Sequence, residues 1–197
     1  MRDMIKPSLV LFLVCLFVTA ALAFTYNITK DKIAHADEES IRREVLAEAD
    51  VFNLVDEAQI KSIIGDNADL EIVKAVYEGK KDDETVGYVY SVTNKGYGGD
   101  INLIIGINAA GTITGVKVVE HSETAGLGSK VAEEDFLSQF KGITPQSNLK
   151  IVLNKANGKD EEIVAVSGAT ISSKAVMAAV QSALNLHKEL INQGGAS

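Results

Sequence analysis

An α+β fold is expected for this chain: a single N-terminal transmembrane helix, a stalk helix, then one mixed domain with antiparallel hairpins and a C-terminal helix. Three features point there. Residues 8–24 carry no charge and consist mostly of Leu, Val, Phe and Ala. The middle of the chain holds short runs rich in β-forming residues, divided by Gly and Asn, without the regular strand–helix alternation of a doubly wound sheet. Near the end, Val176, Val180, Ala183, Leu184 and His187 fall on one side of a helix.

Arg2 and Lys6 precede the apolar run. The positive-inside rule therefore assigns residues 1–7 to the cytoplasm, residues 8–25 to a transmembrane helix and the rest to the far side. The run reaches roughly the minimum of the 17–25 residues that span hydrocarbon. Ala21-Leu22-Ala23 resembles a signal-peptide cleavage site, but the run is long for a signal core of about 7–15 residues. A retained anchor is expected, and the domain is exported in either case. Residues 26–50 are polar and charged, with Ile33, Ile41, Val45 and Leu46 near helical spacing, and read as a stalk helix.

Residues 51–197 make the extracytoplasmic domain. Val86 to Thr93 and Ile101 to Ile107 read as strands; residues 108–111 form a turn, and Thr112 to Glu120 is the returning strand. Glu133 to Phe140 reads as a short helix. Leu149 to Leu153 and Ile163 to Val166 are two short strands, with Asn157-Gly158 turning between them. The last helix runs from about Ser172 to Ile191.

Composition excludes several roles. The formal net charge is -8. Residues 1–7 contribute +1, so the remainder is more acidic still, which suits neither nucleic acid nor an anionic lipid surface. Cys15, the single cysteine, lies in the apolar run, so no intrachain disulfide, iron–sulfur or zinc-thiolate site can form. His35, His121 and His187 lack a paired metal spacing, and no metal site is expected. No Rossmann or P-loop glycine fingerprint is present.

Ser167-Gly168-Ala169-Thr170-Ile171-Ser172-Ser173 lies between the last strand and the last helix. Gly168 permits unusual backbone angles. Thr170, Ser172 and Ser173 are candidate caps. A helix start also suits a phosphate. On this basis an ordinary capped helix and a phosphate site are both open.

The run S-G-A-T-x-S-S resembles the flavinylation motif of the FMN-binding domain family. Lys95-Gly96-Tyr97-Gly98-Gly99-Asp100-Ile101 resembles the G-Y-G-G segment of the G subunit of the Rnf complex, and residues 113–128, closing on Glu123-Thr124-Ala125-Gly126-Leu127-Gly128, resemble that subunit's stretch ending in E-H-x-E-T-P-G-L-G. The resemblance spans about residues 8–190. The pattern's usual proline is Ala125 here, and the aspartate six positions before the threonine is Val164.

This resemblance implies an FMN-binding domain with FMN joined to Thr170 as a phosphoester by a flavin transferase. Ser167, Gly168, Ala169, Ser172 and Ser173 would surround the phosphate. Glu123 and Thr124 would hydrogen-bond the isoalloxazine or ribityl chain, with Gly126, Leu127 and Gly128 closing over the ring. His121 reads either as a donor to a flavin carbonyl or as a strand-end residue, Tyr97 as stacking on the flavin or packing under the hairpin, and Lys150 and Lys155 as phosphate partners or solvated lysines. No catalytic side chain is expected. The chain would be an electron relay in the cell membrane, within an ion-translocating ferredoxin:NAD oxidoreductase whose other subunits hold the nucleotide and cluster sites. A flavoprotein like the C subunit of the sodium-pumping NADH:quinone oxidoreductase and an exported, anchored non-flavin binding or sensor domain are the alternatives.

Overall fold

The structure is a computed structural model describing residues 2–65, 67, 69–145, 147–153 and 161–194. It divides into two compact units, residues 1–40 and 41–197.

A single helix, α1 (Arg2–Val45), replaces the expected pair of helices. It ends five residues before the predicted end of the stalk, because Leu46 and Ala49 turn into the core of the second unit. The large apolar side chains described in the first unit, from Val10 to Phe24, are all exposed. Among the described residues no helix is long and apolar enough to cross a membrane.

The second unit is built on a five-stranded antiparallel sheet in the order β1 (Val51–Leu54), β2 (Val73–Lys81), β3 (Glu84–Lys95), β4 (Asp100–Asn108) and β5 (Ile113–His121). Asp82 and Asp83 join β2 to β3 with φ of 49° and 65°, the left-handed pair whose twist suits a two-residue hairpin. At the β4–β5 turn the Asn108 side chain accepts from the amides of Ala110 (3.1 Å) and Thr112 (2.9 Å). The expected strands over Val86–Thr93, Ile101–Ile107 and Thr112–Glu120 are thus present, each slightly shifted or extended.

Alternation along β4 sets the two faces. Ile101, Leu103, Ile105 and Ile107 join the main core, while Ile104 joins a smaller cluster on the other side. The main core is closed by α4 (Thr170–Gly194) through Val176, Val180, Ala183 and Leu184. The smaller cluster is closed by Val45, Leu46 and Ala49. The backbone at Val45 sits directly on the sheet, because Gly106 and Gly115 carry no Cβ: one on Gly115 would lie 3.0 Å from the Val45 Cα.

The helix expected over Glu133–Phe140 is α3 (Glu134–Leu137), continued as a 3₁₀ turn to Phe140. β1, β2 and α2 (Glu57–Ile64), capped by Asp56, were not anticipated. β6 (Lys150–Val152) and β7 (Glu162–Val164) pair in parallel, so they are not a hairpin. Parallel neighbours need a crossover, not a tight turn; Asn157-Gly158 lies outside the described residues.

Candidate functional site

The S-G-A-T run leaves β7 and enters α4 through a tight turn. Gly168 adopts φ +78°, a value L side chains rarely take, and the Ala169 amide donates to the Val166 carbonyl at 3.0 Å. Ser173 locks the turn from inside. Its hydroxyl accepts from the Val166 amide (3.0 Å) and donates to the Ala169 carbonyl (2.9 Å), and the residue is fully buried. Thr170 is the first residue of α4 and is half-buried. The first turn of a helix leaves amides without intrahelical partners, which favours a phosphate there.

The loop after β5 comes up against this turn. Gly126 bends it at φ +75°, with its amide donating to Ser129 Oγ at 2.9 Å. The amides of Leu127 and Ser129 both donate to the Thr124 carbonyl. Between the two stretches lies a cavity of about 430 Å³. Gly168, Ala169, Thr170, Ile171 and Ser172 line one side; Glu123, Thr124, Leu127, Gly128 and Tyr97 line the other.

Glu123 is a largely buried part of the cavity wall. Its Oε1 accepts from the amides of Tyr97 (2.7 Å) and Gly98 (3.2 Å), and its Oε2 from Ser172 Oγ (2.8 Å). Tyr97 is 73% exposed at the cavity wall, so it does not pack beneath the hairpin.

Not every candidate lines the cavity. Ser167, Ser173 and Gly126 shape the turns without lining the cavity. Gly128 is buried and has no left-handed φ; a Cβ there would run into the Glu123 carboxylate. His121 Nδ1 accepts from the Glu123 amide at 3.2 Å, which fits a local role at the strand end. Lys150 is exposed and away from the cavity, and Lys155 lies outside the described residues. Val164 sits on β7, where the Gln139 side chain bonds both its amide (2.9 Å) and its carbonyl (3.2 Å). Ile171, 55% exposed at the rim, was not anticipated. Its only signal was the variable position in S-G-A-T-x-S-S.

Among the described residues the strongly perturbed groups are Tyr90, whose pKa burial raises well above the ordinary value, and His187, and neither lines the cavity. His187 is buried on α4, roughly 25 Å along the helix from Thr170. Its Nδ1 is 2.8 Å from the Tyr90 hydroxyl, and Tyr88 meets its ring edge-on. Burial lowers its pKa to about 4, with the Asn108 backbone opposing the shift. Among the described residues no group of His, Cys, Asp or Glu is placed to hold a metal ion.

Residues 96–185 match the FMN-binding domain family, and residues 1–45 match the RnfG N-terminal region. Over 192 residues the chain is 34% identical to the G subunit of the Na(+)-translocating ferredoxin:NAD(+) oxidoreductase complex of Acetobacterium woodii, covering 94% of this chain and 92% of that one. The chain belongs to the RnfG family. Its similarity extends to the G subunit of the ion-translocating oxidoreductase complex of Haemophilus influenzae strain PittEE, 36% identical over 186 residues, covering 87% of this chain and 84% of that one. The fold also resembles the crystal structure of Shewanella oneidensis NqrC, with a TM-score of 0.52 and 27% identity over 62% of this chain and 61% of that one, less than two thirds of its length. In this RnfG family member, every residue lining the cavity falls inside the stretch that matches FMN-binding domains.

Proposed function

We propose that this chain is the electron-carrying subunit of a membrane ion-translocating ferredoxin:NAD oxidoreductase, with one FMN joined covalently through Thr170 in an extracytoplasmic domain. The cavity carries this reading. Thr170, the first residue of α4, lines it together with residues of two glycine-rich stretches, all within the FMN-binding match, and this supports the reading. The cavity volume of about 430 Å³ falls in the range, roughly 300–1,000 Å³, of clefts that hold small ligands and cofactors.

The residues fit the group from one end to the other. Thr170 supplies the ester oxygen, and the α4 N-terminus favours the phosphate. Gly168 and Ala169 let that phosphate approach the backbone. Thr124, Leu127, Gly128 and Tyr97 are left to face the ring. Attachment would form a bond between Thr170 Oγ1 and the phosphorus of the flavin monophosphate as a flavin transferase breaks the pyrophosphate bond of a flavin dinucleotide donor, the nucleoside monophosphate leaving with the proton lost from the threonine hydroxyl. FMN supplies the redox chemistry when bound; the chain binds it, orients it and keeps it from diffusing away.

With no nucleotide fingerprint and one cysteine, the chain leaves NAD and cluster sites to partner subunits. The relatives named as subunits of ferredoxin:NAD(+) oxidoreductase complexes support that assembly. The apolar run of residues 8–24, with large side chains exposed from Val10 to Phe24, supports a single-pass anchor in the cell membrane. Residues 1–7 would then face the cytoplasm and the C-terminal domain the other side.

The test is the full chain co-expressed with a flavin transferase, purified, denatured and run on a gel. A fluorescent flavin band at the mass of the chain is expected. Flavin lost on denaturation would rule out the covalent link, and flavin absent before it would rule out the cofactor.

A further inference from the structure

Glu123 is 9% exposed, yet both its carboxylate oxygens are engaged by groups from distant parts of the chain. Oε1 takes the amides of Tyr97 and Gly98, which lie 26 and 25 positions earlier in sequence. Oε2 takes the Ser172 hydroxyl, 49 positions later and two residues past Thr170. The neighbouring glycines are shaped around the same side chain: a Cβ on Gly96 would strike Oε1, and one on Gly128 would strike Oε2. Hydrogen bonds to a charged group are the stronger ones, and buried partners left unpaired are costly. The exposed ring of Tyr97 does little to hold its own turn in place.

Resting on the flavin reading above, we propose that Glu123 is a positioning residue. Its carboxylate fixes the Tyr97 turn, at the ring end of the cavity, relative to the first turn of α4, at the phosphate end. The tether at Thr170 sets where the flavin is attached, and Glu123 sets the orientation it then adopts. This differs from a role as a direct flavin ligand: the oxygens serve the protein's own donors.

The experiment compares full-length wild type with Glu123→Ala, Glu123→Gln and Ser172→Ala, each co-expressed with a flavin transferase. Three properties are read: intact mass, circular dichroism in the flavin's visible bands, and hydrogen exchange of the Tyr97 and Gly98 amides. Glu123→Ala is expected to keep the flavin mass, lose most of the visible signal, and exchange those amides roughly tenfold or more faster. Glu123→Gln keeps an acceptor for the two amides and should recover most of both properties. If Glu123→Ala does not fold, Ser172→Ala decides: it cuts only the α4 link, so the visible signal should change while the amides stay protected. A wild-type visible signal in either alanine variant overturns the proposal. So does a glutamine variant as impaired as Glu123→Ala, since charge rather than placement would then be at work. Wild type without flavin mass sinks the flavin reading itself, whereas normal mass with unchanged visible signals sinks this inference alone.

Discussion

Gly168 faces Leu127 so closely that a Cβ built on the glycine would lie 2.9 Å from Leu127 Cδ1. The contact joins the turn that presents Thr170 to the loop that closes the cavity. Gly168 also sits at φ +78°. Gly168→Ala therefore meets two penalties: a left-handed backbone, costing roughly 1–2 kcal/mol, and a side chain pushed against Leu127. Gly126→Ala at φ +75° meets only the first, because nothing lies within 4 Å of its Cβ. Gly168→Ala should thus lower the melting temperature more than Gly126→Ala and reduce flavin labelling. Equal melting shifts with equal labelling would show that the Gly168–Leu127 contact is unimportant.

Gly128→Val should impair the flavin's redox behaviour more than its attachment. The cause is steric and works through Glu123, whose carboxylate a new Cβ would displace; backbone strain plays no part, since Gly128 has no positive φ. A redox titration of the flavin-loaded variant beside a thermal melt checks this. A folded variant with wild-type potentials would remove the 123–128 loop from the ring site.

Most of the meander was legible in the sequence. Ile101, Leu103, Ile105 and Ile107 alternate with period two, and Asn108 with Gly111 marks the turn. β2 was not legible, because Lys74, Glu78, Lys80 and Lys81 break its apolar pattern where the strand meets solvent. α2 spans only 8 residues, too few for periodicity to stand out. Three-residue β6 and β7 gave no sign of whether they pair in parallel, since direction depends on a crossover and not on composition. At the site, motif resemblance marked Thr170, Glu123 and the glycines. The partners of Glu123 lie 26 and 49 positions away, and only folding brings them together.

His187 gives the domain a pH dependence of known sign. Its folded pKa of about 4 lies below the ordinary 6.5. As pH falls through 6.5 the unfolded chain gains a proton that the folded chain refuses until about pH 4. Stability from this residue is therefore complete above 6.5 and lost progressively between 6.5 and 4, by up to about 3 kcal/mol. Tyr88 and Tyr90, the ring neighbours, have raised pKa values and stay neutral across that range. Denaturant unfolding of wild type and His187→Phe from pH 7.5 to 4.5 tests this. The variant should start less stable, having lost the Tyr90 bond, but decline less on acidification. Parallel curves would mean His187 titrates normally.

The proposed orientation rests on Arg2 and Lys6. A reporter fused after Ser197 should behave as external, and replacing both basic residues with Glu should weaken that bias. Cytoplasmic activity of the wild-type fusion would reverse the proposed orientation. A mature N-terminus near Phe24 would show that the segment is cleaved.

The central claim is a bond at one atom, so intact mass tests it most directly. Full-length wild type and Thr170→Ala, each co-expressed with a flavin transferase, are weighed against their bare sequence masses. Wild type should be heavier by one FMN less one water, and Thr170→Ala should show its bare mass while melting as a folded protein. A wild-type chain at its bare mass, or a Thr170→Ala chain that still carries the increment, would contradict attachment at Thr170.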